Sequence, residues 1–164
     1  MNTEIVKELI RKEYEAQGWT VIDNHIDYDL VAEKGVARLN LSIRFSVLFK
    51  PTPHWESDLF KLTSWSMVHS NAFSAKKDPN DRVIFLLYHK INGIEEYKDD
   101  FFSFPVNVFR MLINQAPMSK QNRKLYISKH RNDWFVRKYG IGANSQNAIS
   151  VFCTPVSRYR RSFS

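Results

Sequence analysis

Residues 27–45, "DYDLVAEKGVARLNLSIRF", carry the chemistry-bearing side chains whose spacing first suggests a site. Asp27 and Asp29 lie on an apolar stretch that reads as a strand. Gly35 turns the chain, and a second alternating stretch ends in Ser42-Ile43-Arg44. Carboxylates at the end of a hairpin could hold a divalent cation, and a guanidinium beside them could take a phosphate oxygen. That is the equipment of metal-assisted phosphodiester chemistry, which needs a Lewis acid at the non-bridging oxygen and an activated water in line. Ser42 is a weak neutral ligand, and Arg44 stays protonated and is no general base, although it can clamp a phosphate or stabilise developing charge.

The other candidate constellations give less. His25, Asp27 and Asp29 alternate onto one strand face, which reads as a solvated face more readily than as a metal site. His54, His69, His89 and His130 lack metal-ligand spacing, and His89 reads as a core histidine ending a buried strand. There is no serine nucleophile elbow, no GxGxxG and no phosphate loop. Cys153 is the one cysteine, which excludes an intramolecular disulfide and a cysteine-based zinc cluster and suits a reducing cytosol.

The elements that must position these groups follow from periodicity. Ile5, Val6, Leu9, Ile10 and Tyr14 predict an amphipathic helix capped by Thr3 and ended by Gly18. "WTVID", "HIDYDLVAE" and "VARLNLSIRFSVLF" predict three strands, the last with Arg38, Asn40, Ser42 and Arg44 on one face. The stretch 56–73 predicts a helix through Leu59, Leu62, Trp65 or Ser66, and Phe73. "RVIFLLYH" predicts a strand buried on both faces. "GIEEYKDD" reads as an acidic connection, "FPVNVFRMLINQ" as a helix starting at Pro105, and "KLYIS" with "WFVRKY" as a hairpin. "AISVFC" predicts a late strand and "SRYRRSFS" a frayed basic terminus. The fold class is α/β (α+β): one mixed central sheet flanked by helices in a single domain over 1–154, with a basic tail at 155–164.

The αβββαβ order, with an acid on one strand and a polar-x-basic triplet on the next, resembles the PD-(D/E)XK nuclease superfamily, to which restriction endonucleases and Holliday-junction resolvases belong. The resemblance covers residues 4–90 and is carried by "LIRKEYEAQGWTVID" and "DYDLVAE". It implies a restriction-endonuclease-like core, magnesium as cofactor and DNA, in preference to RNA, as partner. It implies catalytic roles for Asp29, Ser42, Arg44 and Glu8: Asp29 matches the family's strand aspartate, and Glu8 its helix glutamate, with Glu4 second. Asp29 and Asp27 would be the metal ligands. Ser42 stands where the family has an acid and Arg44 where it has a lysine, so the triplet is degenerate. The expectation is a nucleic-acid-binding protein on a nuclease scaffold. The alternatives are an active magnesium-dependent endonuclease using Asp29 with non-standard partners, and a small accessory module without a nucleic-acid role.

Charge supports a polyanion partner. Residues 1–118 hold 14 Lys and Arg against 16 Asp and Glu, whereas residues 119–164 hold 10 against Asp133 alone. Clustered cations gain affinity for phosphates by releasing counterions. Lys120, Arg123, Lys124, Lys129, Arg131, Arg137, Lys138, Arg158, Arg160 and Arg161 are the candidate nucleic-acid-binding residues. Tyr126, Trp134, Phe135 and Tyr139 lie among them, most of them expected in the core. No apolar run is long enough to span a membrane and the N-terminus shows no secretion signal, so a cytoplasmic location is expected, with a homodimer or protein partner left open.

Overall fold

The computed structural model describes residues 1–24, 26–143 and 149–164, with the side chain of Asp99 left aside. Helix α1 (Thr3–Ala16) buries Val6, Ile10 and Tyr14 on one stripe. Its cap is Asn2 and not Thr3: Asn2 is extended and its Oδ1 accepts from the Ile5 N–H at 3.0 Å, while Thr3 is already helical. Gly18, at φ +86°, turns the chain into a meander of β1 (Thr20–Asp23), β2 (Leu30–Lys34) and β3 (Ala37–Leu48). The three strands pair antiparallel in sequence order.

Strand β5 (Asp81–Ile91) lies parallel to β3, from Asn40 opposite Asp81 to Leu48 opposite His89. Strand β6 (Ile94–Pro105) closes the sheet, whose order is β1-β2-β3-β5-β6. The three strands after the first helix follow the predicted order, but the crossover to the parallel fourth strand of the sheet holds a strand as well as a helix. The continuous apolar run of β5 is buried on both faces. Ile84 and Leu86 pack with α1, Leu30, Leu41 and Phe101, while Val83, Phe85 and Leu87 pack with the opposite layer.

The crossover between β3 and β5 differs from expectation. The predicted helix over 56–73 is a short helix α2 (His54–Leu59) followed by strand β4 (Leu62–His69). Leu62, Ser64, Ser66 and Val68 alternate with Thr63, Trp65 and Met67 across the strand, and antiparallel pairing with residues 122–129 holds them there against the sparse helical spacing. The acidic stretch after Asn92 is likewise not a connection but the first half of β6. It lies on the edge of the sheet, where exposed charge guards against further strand pairing.

Helix α3 (Val106–Gln115) begins after Pro105 as predicted. It is followed by β7 (Met118–Ser119) and by the predicted hairpin, β8 (Asn122–His130) and β9 (Asp133–Arg137). The late strand expected over 148–153 is mostly helix: α4 (Ile149–Phe152) takes up its middle, and β10 (Cys153–Pro155) begins only at Cys153. Strands β10-β9-β8-β4 form a second sheet, with β7 pairing on β8. The domain is therefore mixed α+β, the class the sequence predicts, and the described residues form two sheets and four helices in place of one central sheet. Val68, Leu125, Ile127, Trp134 and Val136 of the second sheet share a core with α3 and the first sheet.

The terminus predicted to fray is a packed strap. A 3-10 turn at Ser157–Tyr159 leads Arg160 into a bridge with Phe102. Arg160 pairs with Asp100 at 3.0 Å and Arg161 with Glu13 at 2.8 Å. The Phe163 ring meets Tyr14 and Phe101 edge-on, with centroids 4.9 and 5.7 Å away. Phe163→Ala is expected to lower the unfolding free energy by about 1–3 kcal/mol, less than for a fully buried Phe. Urea unfolding followed by circular dichroism checks this, and an unchanged midpoint would contradict the strap.

Candidate functional site

The turn at Gly35 sets the register of the β2–β3 hairpin. Lys34 opposes Ala37, and counting back through the pairs places Leu30 opposite Leu41. Asp29, one residue earlier, therefore arrives beside Ser42. Its N–H donates to the Leu41 carbonyl at 2.9 Å, and its Oδ2 accepts from the Ile43 N–H at 2.7 Å. The carboxylate is thus fixed over the Ser42-Ile43-Arg44 triplet by two backbone contacts.

Asp29, Ser42, Ile43, Arg44, Phe45 and Phe73 line one cleft of about 410 Å³. The Arg44 guanidinium lies 5.3 Å from the centroid of the Phe73 ring, which holds it by cation–π attraction. Partial burial draws the guanidinium below its ordinary value, and the Asp29 charge opposes that shift. An arginine remains a cation at neutral pH under these conditions, so the cleft presents a fixed positive group facing a fixed carboxylate. Phe73 holds a left-handed backbone conformation at φ +64° in the crossover. The sequence gives little sign of its role, since it falls within the helical spacing expected for 56–73.

Asp27 is placed differently from expectation. Strand β2 starts only at Leu30, so Asp27 and Asp29 do not share a strand face. The Asn24 side chain caps the connection instead, its Oδ1 accepting from the N–H groups of Ile26, Asp27 and Tyr28 at 3.2 to 3.4 Å. Asp27 and Asp29 line an adjoining cleft of about 300 Å³ together with Lys7. Lys7, unnoticed in the sequence, is almost buried on α1 and pairs with Asp23 at 3.3 Å. Its signal was its place next to Val6, within the apolar stripe. Glu8 does not join either cleft and hydrogen-bonds Arg11 at 3.1 Å on the helix surface. His25 lies outside the described residues.

Among the described residues no group of three or more His, Cys, Asp or Glu side chains could hold a metal ion. Asp29 and Ser42 offer one carboxylate and one hydroxyl. That donor set does not form a protein cage, but it fits a magnesium ion that keeps most of its waters and takes further oxygens from a phosphate.

The basic quarter divides into several kinds of residue. Arg137 is 3% exposed and belongs to the interior. Its NH1 meets Glu56 at 2.6 Å, its Nε and NH2 donate to Ser128 and Thr63, and its plane lies between the rings of Phe60 and Tyr126. This removes it from any exposed basic surface. Arg160 and Arg161 serve the strap, and Arg123 donates to the Ala116 carbonyl at 3.1 Å. Lys120, Arg131 and Arg158 are exposed, and Lys124, Lys129 and Lys138 are half-buried. Of the aromatics, Trp134 is in the core and Phe135 packs toward Leu59 and Phe60, while Tyr139 is 78% exposed. Cys153 is buried, and burial pushes its thiol up to about 11, away from thiolate chemistry.

Comparison with known proteins finds no matching family model and no matching curated protein. Among solved structures, the chain is similar to a bacterial homing endonuclease, I-Ssp6803I, at 16% identity and a TM-score of 0.37. The likeness covers 65% of this chain and 64% of that structure. The fold described above rests on the chain's own strand order. No helix among the described residues is long and apolar enough to cross a membrane.

Proposed function

We propose that this chain binds nucleic acid, DNA in preference to RNA, and that the cleft between Asp29, Ser42 and Arg44 receives a backbone phosphate. The observation that carries this reading is the convergence of Asp29 and Arg44 in one cleft, with Arg44 held against Phe73. A guanidinium presents paired N–H donors that match phosphate oxygens, and its partial desolvation strengthens that attraction. A steep fall in affinity with ionic strength is the expected signature, because phosphate contacts release counterions. Titrating labelled duplex DNA at low and moderate salt tests it. Absent or salt-independent binding would favour an accessory protein without a nucleic-acid role.

A second reading, metal-dependent cleavage, is favoured by the fixing of the Asp29 carboxylate through Ile43 N–H. Asp29 and Ser42 would hold a magnesium ion, which supplies Lewis-acid activation of the phosphate and of a bound water. Arg44 would orient the phosphate and balance charge on its oxygens, and Phe73 would keep Arg44 in place. Lys7 adds a cation beside Asp29 in the neighbouring cleft. Asp27 and Glu8 do not line this cleft and are not part of this set.

A further inference from the structure

The second sheet presents an outward face that none of the residues considered above accounts for. Strands β4 and β8 pair antiparallel there, with Trp65 opposite Tyr126, Met67 opposite Lys124 and His69 opposite Asn122. The intervening residues Val68, Leu125 and Ile127 point into the core, so these six alternate onto the opposite face, with Trp65, Met67 and His69 exposed and Asn122, Lys124 and Tyr126 half-buried. Trp65 is 49% exposed and Met67 40%. The row contains no carboxylate and carries the Lys124 cation.

This face is firmly built. Arg137 supports Tyr126 by packing against its ring, with the guanidinium carbon 4.6 Å from the centroid. The Trp65 carbonyl accepts from Ser46 Oγ at 3.0 Å. Ser46 lies two residues beyond Arg44 in β3, and Phe49 bridges Thr63, so β4 runs beside the strand that carries Arg44.

We infer that this face, centred on Trp65 and Tyr126 with Lys124 beside them, binds an unpaired segment of a nucleic-acid strand running on from the cleft. An aromatic surface offers a π-face to an unstacked base, which a paired duplex does not expose. A carboxylate-free row with a lysine complements the phosphates of such a strand, whereas the basic groups of an ordinary mixed-charge protein surface would find no anionic counterpart in this row. The inference rests on the nucleic-acid reading above and names a surface for it.

Fluorescence anisotropy of a labelled oligothymidine tests the inference on the full chain, with circular dichroism confirming that each variant is folded. Trp65→Ala is expected to weaken binding about tenfold, the loss typical of one base–aromatic stack. Lys124→Ala is expected to reduce the salt dependence by about one phosphate contact. Duplex of matching length should be insensitive to Trp65→Ala. Unchanged oligothymidine affinity in both variants, or an equal loss for duplex, would overturn the inference. Arg44→Ala separates the two claims. Loss on Arg44→Ala alone leaves the cleft reading standing without this face, and loss on Trp65→Ala alone leaves the face without the cleft.

Discussion

Arg137→Ala is expected to destabilise the protein by about 3–5 kcal/mol. Its guanidinium is buried against Glu56, which is itself largely buried, and also satisfies Ser128 and Thr63. Burial draws this guanidinium below its ordinary value, and the Glu56 hydrogen bond and charge oppose the shift. Removing the arginine strands the Glu56 carboxylate in the interior and leaves two hydroxyls short of a donor. It also removes the planar group between Phe60 and Tyr126. The double variant Arg137→Leu with Glu56→Leu should lose less than the single variant, because no charge is then left unpaired. Equilibrium urea unfolding measures both. A single variant within about 1 kcal/mol of the parent would contradict a buried pair of this kind.

Asp29→Asn is expected to reduce magnesium-dependent cleavage of DNA by at least about a hundredfold, if cleavage is the activity the cleft performs. The amide oxygen still accepts from the Ile43 N–H, so the substitution removes the charge and keeps the local geometry. DNA binding without metal should be retained or strengthened, because the carboxylate facing the incoming phosphate is gone. Following nicking of a supercoiled plasmid in magnesium and in manganese reads the first effect, and a titration without metal reads the second. Cleavage that persists at parental rate in Asp29→Asn would exclude this carboxylate from the chemistry.

The convergence of Asp29 with Ser42 and Arg44 could be read from the sequence because a hairpin register can be counted from its turn. Gly35 fixes Lys34 opposite Ala37, and Asp29 then falls beside Ser42 without any tertiary information. The buried strand β5 and the β8–β9 hairpin were legible for a similar reason, since each carries a local pattern of one period. The crossover was not. Its apolar residues at 59, 62, 65 and 73 fit a helix, and only pairing with β8 decides that Leu62–His69 is a strand. Asp27 was misplaced because the Asn24 cap delays the start of β2, and a single asparagine does not announce such a cap.

The basic quarter shows the limit of counting charges. Composition records Arg137 as one more cation, but the residue that neutralises it, Glu56, lies 81 positions earlier and is brought to it only by the fold. The pairing of Arg161 with Glu13 and of Arg160 with Asp100 is equally remote in sequence. Trp65 was hidden by the opposite error. Assigned to a helix it has no partner, whereas on β4 it stands across from Tyr126 on an exposed face.

The measurement that bears most directly on the cleft is the salt dependence of DNA affinity in the parent and in Arg44→Ala, each at several ionic strengths. A phosphate bound by Arg44 predicts weaker binding in the variant and a log–log salt slope shallower by about one charge. Parallel lines with unchanged affinity would show that the cleft takes no phosphate.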